Sequence, residues 1–275
     1  MSILRLTAAG VLLVALSYST NADAPRSHGN WRLTWSDEFN GPDGSGVDPT
    51  KWSYDLGKGP TGELESNTRR PKNVRIEQGH LVIEARQENY IGADGMMTDY
   101  TSGRIKTQNL FTQQYGRFEA RMKVPSGKGI SPAFWMEGEN KPFVGWPRCG
   151  EIDIMEDLGR TPDSYYSTLH GPGFLSDSKL QAFFSIGQGK SLSDDYHVYA
   201  VDWSRTEVVF TLDGIPYGRI VRDTPEHGRD IPLDQPFFII LSMAIIKDPK
   251  GGPATQPGQL PAQLDVDYVR VYQRQ

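Results

Sequence analysis

Cysteine is nearly absent from this chain: Cys149 is the single one among 275 residues. An internal disulfide is therefore excluded, and stability has to come from buried area, with a bound metal as a further source. No histidine stands near Cys149 to activate a thiolate, so a small, buried, apolar role is expected for it. Histidine is scarce as well, five in all and scattered, which argues against a catalytic metal held by clustered imidazoles. No glycine-rich phosphate loop follows a strand, and no G-x-S-x-G nucleophile elbow occurs. An excess of positive charge is missing too. Lys and Arg number 29 against 34 Asp and Glu, a net charge of -5, so there is no basic footprint for nucleic acid or an anionic membrane. Internal repeats, heptads, low-complexity tracts and long amphipathic helices are all lacking.

Long apolar runs are confined to the N-terminus. Arg5 precedes the stretch Leu6 to Leu16, and the small residues of Ala22-Asp23-Ala24 follow. This is the three-part layout of a secretory signal, too short to span a bilayer stably. Residues 1–24 are read as a signal peptide and 25–275 as one domain. Cleavage after Ala22 competes with cleavage after Ala24, which would leave Pro25 in front; an uncleaved anchor is the alternative. No cysteine adjoins the segment, which argues against a lipoprotein. A secreted or periplasmic monomer is expected, free of the membrane once the signal is removed.

What the chain has in abundance is aromatic residues and chain-turning ones: six Trp, twelve Tyr, eleven Phe, 29 Gly and 19 Pro. Strand signals dominate. Tyr115 to Val124 alternates Phe118, Ala120, Met122 and Val124 with Arg117, Glu119, Arg121 and Lys123. His80 to Arg86, Tyr196 to Trp203, Glu207 to Leu212 and Phe237 to Ala244 also read as strands, and Asp213-Gly214 is a hairpin turn. Leu264 to Tyr272 suits a closing strand paired with the N-terminal one. Many short strands with Gly and Pro between them predict an all-β sandwich. Residues 39 to 67 and 247 to 262 read as loops rimming the active face.

The chemistry concentrates in WPRCGEIDIMEDLG, where Glu151, Asp153 and Glu156 are interleaved with apolar residues. Alternate side chains of a strand share a face, which puts Glu151 and Asp153 together. Glu156, three positions beyond Asp153, would point away unless a β-bulge around Met155 resets the register. Like charges crowded on one strand repel, and such crowding usually persists for function. Retaining glycosidases place a nucleophilic carboxylate and an acid/base roughly 5 Å apart, and Glu151 and Glu156 suit that spacing on a bulged strand. Asp153 between them is expected to act electrostatically, separating the proton affinities of its neighbours.

Trp135 and Trp146 flank the motif and offer flat faces for sugar rings, with core packing as the competing role. His170, in STLHGPG, is within reach of the carboxylates if it is not structural. Arg104, in SGRIKT, offers donors to sugar hydroxyls, although a strand arginine is commonly solvated or ion-paired.

GEIDIMED resembles the active-site signature of glycoside hydrolase family 16. The likeness extends through LTWSDEFNG, KNVRIEQGHLVIEAR, TSGRIKTQNLFTQQYGRFEARMKVPSGKGISPAFWM, STLHGPG, YHVYAVDW and LDVDYVRVYQ. The chain is most similar to the bacterial laminarinase branch of endo-β-1,3-glucanases. That resemblance implies a concanavalin-like jelly roll of two curved antiparallel sheets with a concave substrate cleft. It implies Glu151 as nucleophile, Asp153 as assisting residue and Glu156 as acid/base, with Trp135, Trp146, His170 and Arg104 contacting sugar. It implies no cofactor for catalysis, but a structural calcium at Glu38, the Gly79 backbone and Asp267, away from the reaction. The extra residue Met155 favours β-1,3-glucan in this family, with mixed β-1,3/1,4-glucan as a further substrate. Agar, carrageenan, galactan, transglycosylation and a glucan-binding lectin-like role are the alternatives. Gly59 to Glu65 and Leu241 to Lys247 depart from the laminarinase pattern, so outlying subsites are expected to differ while the chemistry stays.

Overall fold

Alternation of apolar and polar side chains shapes strands such as Gly116–Lys123, whereas Phe237–Ile245 is an almost continuous apolar run. The computed structural model describes residues 30–275 except 60–61, 93–94, 158–161, 173–179, 188, 223–230, 248–254 and 257. The expected signal peptide, residues 1–24, lies outside them, as does half of the expected 247–262 loop.

In chain order the strands begin with β1 (Trp31–Asp37), β2 (Ser53–Tyr54), β3 (Ser66–Asn67), β4 (Val74–Glu77), β5 (His80–Ile91) and β6 (Met97–Ser102). There follow β7 (Arg104–Lys106), β8 (Gly116–Lys123), β9 (Ile130–Gly138), the single-turn helix α1 (Lys141–Val144), β10 (Glu151–Glu156) and β11 (Ser164–His170). The chain continues with β12 (Gln181–Ser185), β13 (His197–Trp203), β14 (Glu207–Leu212), β15 (Ile215–Val221), β16 (Phe237–Ile245) and β17 (Ala262–Arg274).

The strands form two sheets. The larger has the order β15-β14-β13-β8-β17-β5-β6-β3, with β1 on β17 and β4 on β5; the smaller has the order β12-β11-β10-β9-β16-β7-β2. Every pairing is antiparallel except that of β3 with β6. The expected closure of the chain ends occurs: β1 runs along β17 from Trp31↔Arg274 to Asp37↔Val269. Asp213 (φ 51°) and Gly214 (φ 79°) form the two-residue turn between β14 and β15, both in the left-handed region that such a turn requires. β5 runs to Ile91, well past the expected Arg86.

The inner faces of both sheets enclose one apolar core. β8 contributes Phe118, Ala120 and Met122; β9 contributes Phe134 and Met136; β10 contributes Ile152, Ile154 and Met155; all are 0–1 % exposed. Each buried Phe, Leu or Ile contributes about 1.5–3 kcal/mol, which is how the fold does without disulfides. Cys149 is part of this interior, fully buried as expected, and burial pushes its thiol up to about 11. The charged face of β8 is more buried than alternation alone suggests. Arg117 (7 % exposed) bonds Glu119 Oε2 and Asp202 Oδ1, each at 2.8 Å, across the outer side of the larger sheet.

The strand β10 departs from regularity at one place. Against β9 its register runs Asp153↔Trp135 and then Met155↔Phe134, so two residues on β10 advance against one on β9. Ile154 and Met155 therefore both turn into the core, and Glu156 returns to the outer face. A bulge leaves a backbone group unpaired in the ladder. Ser167 Oγ on β11, completely buried, donates to the Ile154 carbonyl at 2.6 Å. Replacing Ser167 by Ala is expected to leave that carbonyl unsatisfied and cost about 1–3 kcal/mol. The check is a denaturant titration: the midpoint should fall while the slope stays unchanged.

Candidate active site

Glu151, Asp153 and Glu156 project from the outer face of the smaller sheet. By register Glu151 faces Glu137 on β9 and His170 on β11; Asp153 faces Trp135 and Thr168; Glu156 faces Ala133 and Tyr166. These side chains point away from the core, yet Asp153 is 5 %, Glu137 2 % and Arg104 5 % exposed. Charged groups this shielded on an outer face mean that the face is a recess.

The three acids are tied into a polar cluster. The indole N–H of Trp146 donates to Glu151 Oε2 at 2.6 Å. His170 Nε2 lies 2.8 Å from Asp153 Oδ2 and 3.9 Å from Glu151 Oε1. One donor atom from each of Glu151, Asp153 and His170 lies within 4.8 Å of the other two. Burial, then the charge of Asp153, holds the Glu151 carboxyl well above the usual range; burial, then the charge of Glu156, does the same for Asp153. Groups this close titrate together, and the pair Glu151–Asp153 keeps a proton to higher pH than either would alone.

The expected sugar contacts gather around this cluster. Trp135, half-buried, donates from Nε1 to Ser242 Oγ on β16 at 3.1 Å. The Arg104 guanidinium lies 5.8 Å from the Trp135 ring centroid, its Nη2 3.4 Å from Glu63 Oε1 and its Nη1 3.7 Å from Asp55 Oδ2. It is thus the ion-paired strand arginine, and it braces Trp135. Trp146 is 44 % exposed, far from a core position, with its ring 6.3 Å from that of His170.

Glu38, Gly79 and Asp267 do not join this face. Both Glu38 oxygens accept from Arg270, at 3.0 and 2.8 Å, and Asp267 Oδ2 accepts from Arg121 at 2.7 Å. Asp267 Oδ1 lies 3.8 Å from His80 Nε2. Calcium needs a cage of free hard oxygens. With each carboxylate already neutralised by a guanidinium, the residues so arranged do not fit the ion expected there.

Three groups were not anticipated. Glu137 stands across from Glu151, and alternation with Trp135 could have revealed it. Tyr166 and Phe183 meet with tilted rings, centroids 5.2 Å apart, in the row that begins with Glu156, Phe183 being 55 % exposed. Glu65, fully buried in the irregular 39–67 segment, accepts from Ile245 N at 2.7 Å.

A family model described as glycosyl hydrolases family 16 matches residues 63–270. The chain belongs to this family. It is 40 % identical to a "Beta-glucanase" of Rhodothermus marinus, over 88 % of this chain and 85 % of that protein. It is 36 % identical to a "Glucan endo-1,3-beta-glucosidase" of Cryptopygus antarcticus, over 89 % and 93 %. Among solved structures, the laminarinase catalytic domain of Thermotoga maritima superimposes with a TM-score of 0.81 at 38 % identity, over 90 % of this chain and all of that one. The two-sheet architecture is thus the family 16 jelly roll.

Burial raises the Glu65 carboxyl from 4.5 to about 7. The folded state therefore favours the protonated form. This contribution is complete below pH 4.5 and is lost as the pH rises through 7, up to about 3 kcal/mol. Glu65→Gln, neutral throughout, is expected to flatten the fall in stability between pH 5 and 8 relative to the parent. Thermal unfolding of both proteins across that range is the measurement.

Proposed function

We propose that this chain is an exported endo-β-1,3-glucanase, acting as a monomer by double displacement with retention. The observation that carries the reading is the bulge that brings Glu151, Asp153 and Glu156 onto one recessed face. The named relatives are glucanases, which supports β-glucan as the polymer, and the extra residue in β10 favours the β-1,3 linkage, with mixed β-1,3/1,4-glucan as a second substrate.

Glu151 is the nucleophile. The Trp146 N–H at 2.6 Å donates to Oε2 and favours the ionised form needed for attack. The proton kept by the coupled pair is shared between Glu151 and Asp153, the latter buried and 2.8 Å from His170. That shared proton lets the two carboxyls hydrogen-bond without repelling each other. Glu156 donates its proton to the glycosidic oxygen as Glu151 forms a bond to the anomeric carbon, and the aglycone leaves. Glu156, now a carboxylate, takes a proton from water, whose oxygen attacks the anomeric carbon and releases Glu151. No cofactor takes part.

Substrate fits on both sides. Trp135 and Arg104 lie toward β7, where buried polar atoms without a protein partner gather: Arg104 Nε, both amide atoms of Asn67 and Ser102 Oγ. Sugar hydroxyls are donors and acceptors at once and suit such atoms. On the Glu156 side, the exposed face of Phe183 suits the flat C–H face of a glucosyl unit on the leaving portion.

Reducing-end release from laminarin, lichenan and agarose tests the polymer. Release from laminarin, with the first product in the β configuration, is expected. Glu151→Gln should lower turnover on the order of a thousandfold or more while laminarin binding persists. No release from laminarin would sink the substrate assignment, and surviving turnover in the variant would sink the nucleophile.

A further inference from the structure

The strand pairing sets Glu137 directly across from Glu151, an arrangement that ordinarily costs stability because opposed like charges repel. Glu137 is 2 % exposed, so water does little to screen it. Lys141, four residues on and the first residue of α1, places Nζ 2.7 and 2.6 Å from the two Glu137 oxygens. The segment anchored by that contact leads within five residues to Trp146, whose N–H grips Glu151. Neither member of the pair touches the place where a glycosidic bond would lie between Glu151 and Glu156.

We propose that the buried Glu137–Lys141 ion pair is a positioning device for the nucleophile, fixing both the electric field at Glu151 and the seat of the Trp146 loop. This rests on the glucanase reading, in which Glu151 must be ionised to attack.

The surroundings leave few other sources for that field. Glu151 meets Asp153 on its own strand, His170 on β11, and Trp146 and Cys149 on the preceding loop, while Glu156 acts on Asp153. Glu137 meets Lys141, with Arg104 and Asp55 farther off, and the residue opposite it on β16 is the uncharged Phe238. The negative end of the pair is the one nearer Glu151, and it works in the same direction as burial, holding the proton on the catalytic pair. Lys141 moderates that push by keeping Glu137 bound to a cation.

The sign of each change follows. Glu137→Gln removes the negative end and leaves Lys141, so Glu151 ionises at lower pH. Glu137→Gln/Lys141→Gln removes both charges, and the shift should be in the same direction but smaller. Buried pairs commonly tolerate removal of both partners better than one, which makes the double variant the safer protein to fold.

The acidic limb of kcat/KM against pH reports ionisation of the free enzyme's nucleophile. Measured on laminarin, that limb should move down by about one pH unit in Glu137→Gln, with the double variant between it and the parent. KM should change little compared with kcat, since neither residue reaches the sugar. Limbs that coincide with the parent's, with activity scaled down evenly at all pH values, would overturn the proposal and leave a purely structural pair. If Glu137→Gln does not fold, the double variant decides: a lowered limb supports the proposal and an unmoved one ends it. Failure of the glucanase reading looks different, because the parent would then release nothing from laminarin or Glu151→Gln would remain active.

Discussion

Everything at the reactive face depends on one extra residue in β10. A strand has only two faces, and Glu-Ile-Asp-Ile-Met-Glu has the wrong parity to put its three acids on the same one. The structure resolves the conflict by turning Ile154 and Met155 inward together, at 0 and 1 % exposure. Two adjacent apolar side chains in the core outweigh the single ladder position lost, since each contributes more by burial than one hydrogen bond does net. The Ser167 hydroxyl then removes most of the remaining cost. The bulge is therefore held from beneath, by packing and by one hydrogen bond, and the carboxylates above it inherit their geometry from the core.

That geometry is electrostatically expensive. Three carboxyls lie on one short strand, with a fourth at Glu137, Asp153 and Glu137 buried and Glu151 and Glu156 partly so. The recess answers them with groups of graded strength: a neutral indole donor at Glu151, an imidazole at Asp153 and a full ammonium at Glu137. The full cation stands on the residue that does not react. The acids nearest the proposed reaction receive weaker partners and so keep a proton that can be moved. Complete neutralisation of Glu151 by a lysine would hold it ionised, but it would also weaken it as a nucleophile.

Much of this was legible in the sequence, and the reasons differ by residue. The bulge could be inferred because three acids had to share a face and alternation forbade it. The core face of β8 and the hairpin at Asp213-Gly214 followed from period and turn chemistry, which are local. Sheet order was not legible: β8 lies between β13 and β17, pairings that span long stretches of chain and leave no local mark. The burial of Arg117 was hidden for the same reason, since it depends on Asp202 being brought opposite it. Trp146 was identified as a sugar platform, but its grip on Glu151 comes from an irregular loop that no periodicity describes. Glu137 was within reach of the alternation argument through Trp135, and only its position at a strand end concealed it. For Glu38 and Asp267, the family resemblance implied a cation, and the structure supplies arginines.

The contrast between the two outer faces shows how the chain separates support from chemistry. On the larger sheet, acids meet guanidiniums at close range: Glu38 with Arg270, Asp267 with Arg121, and Glu119 and Asp202 with Arg117. Such pairs are self-sufficient and need nothing from a ligand. On the smaller sheet, Arg104 keeps Nε buried without a protein partner, and Asp153 meets an imidazole in place of a guanidinium. Both faces carry similar residue types, and both derive from strands that alternate equally well. What distinguishes them is how completely each polar group is answered by its neighbours. A buried group left partly answered costs free energy in the empty protein, and a polyhydroxylated ligand returns that cost on binding. The proposed glucan binding draws on this incomplete pairing of the recess, and the completeness of the opposite face is what lets the fold bear it.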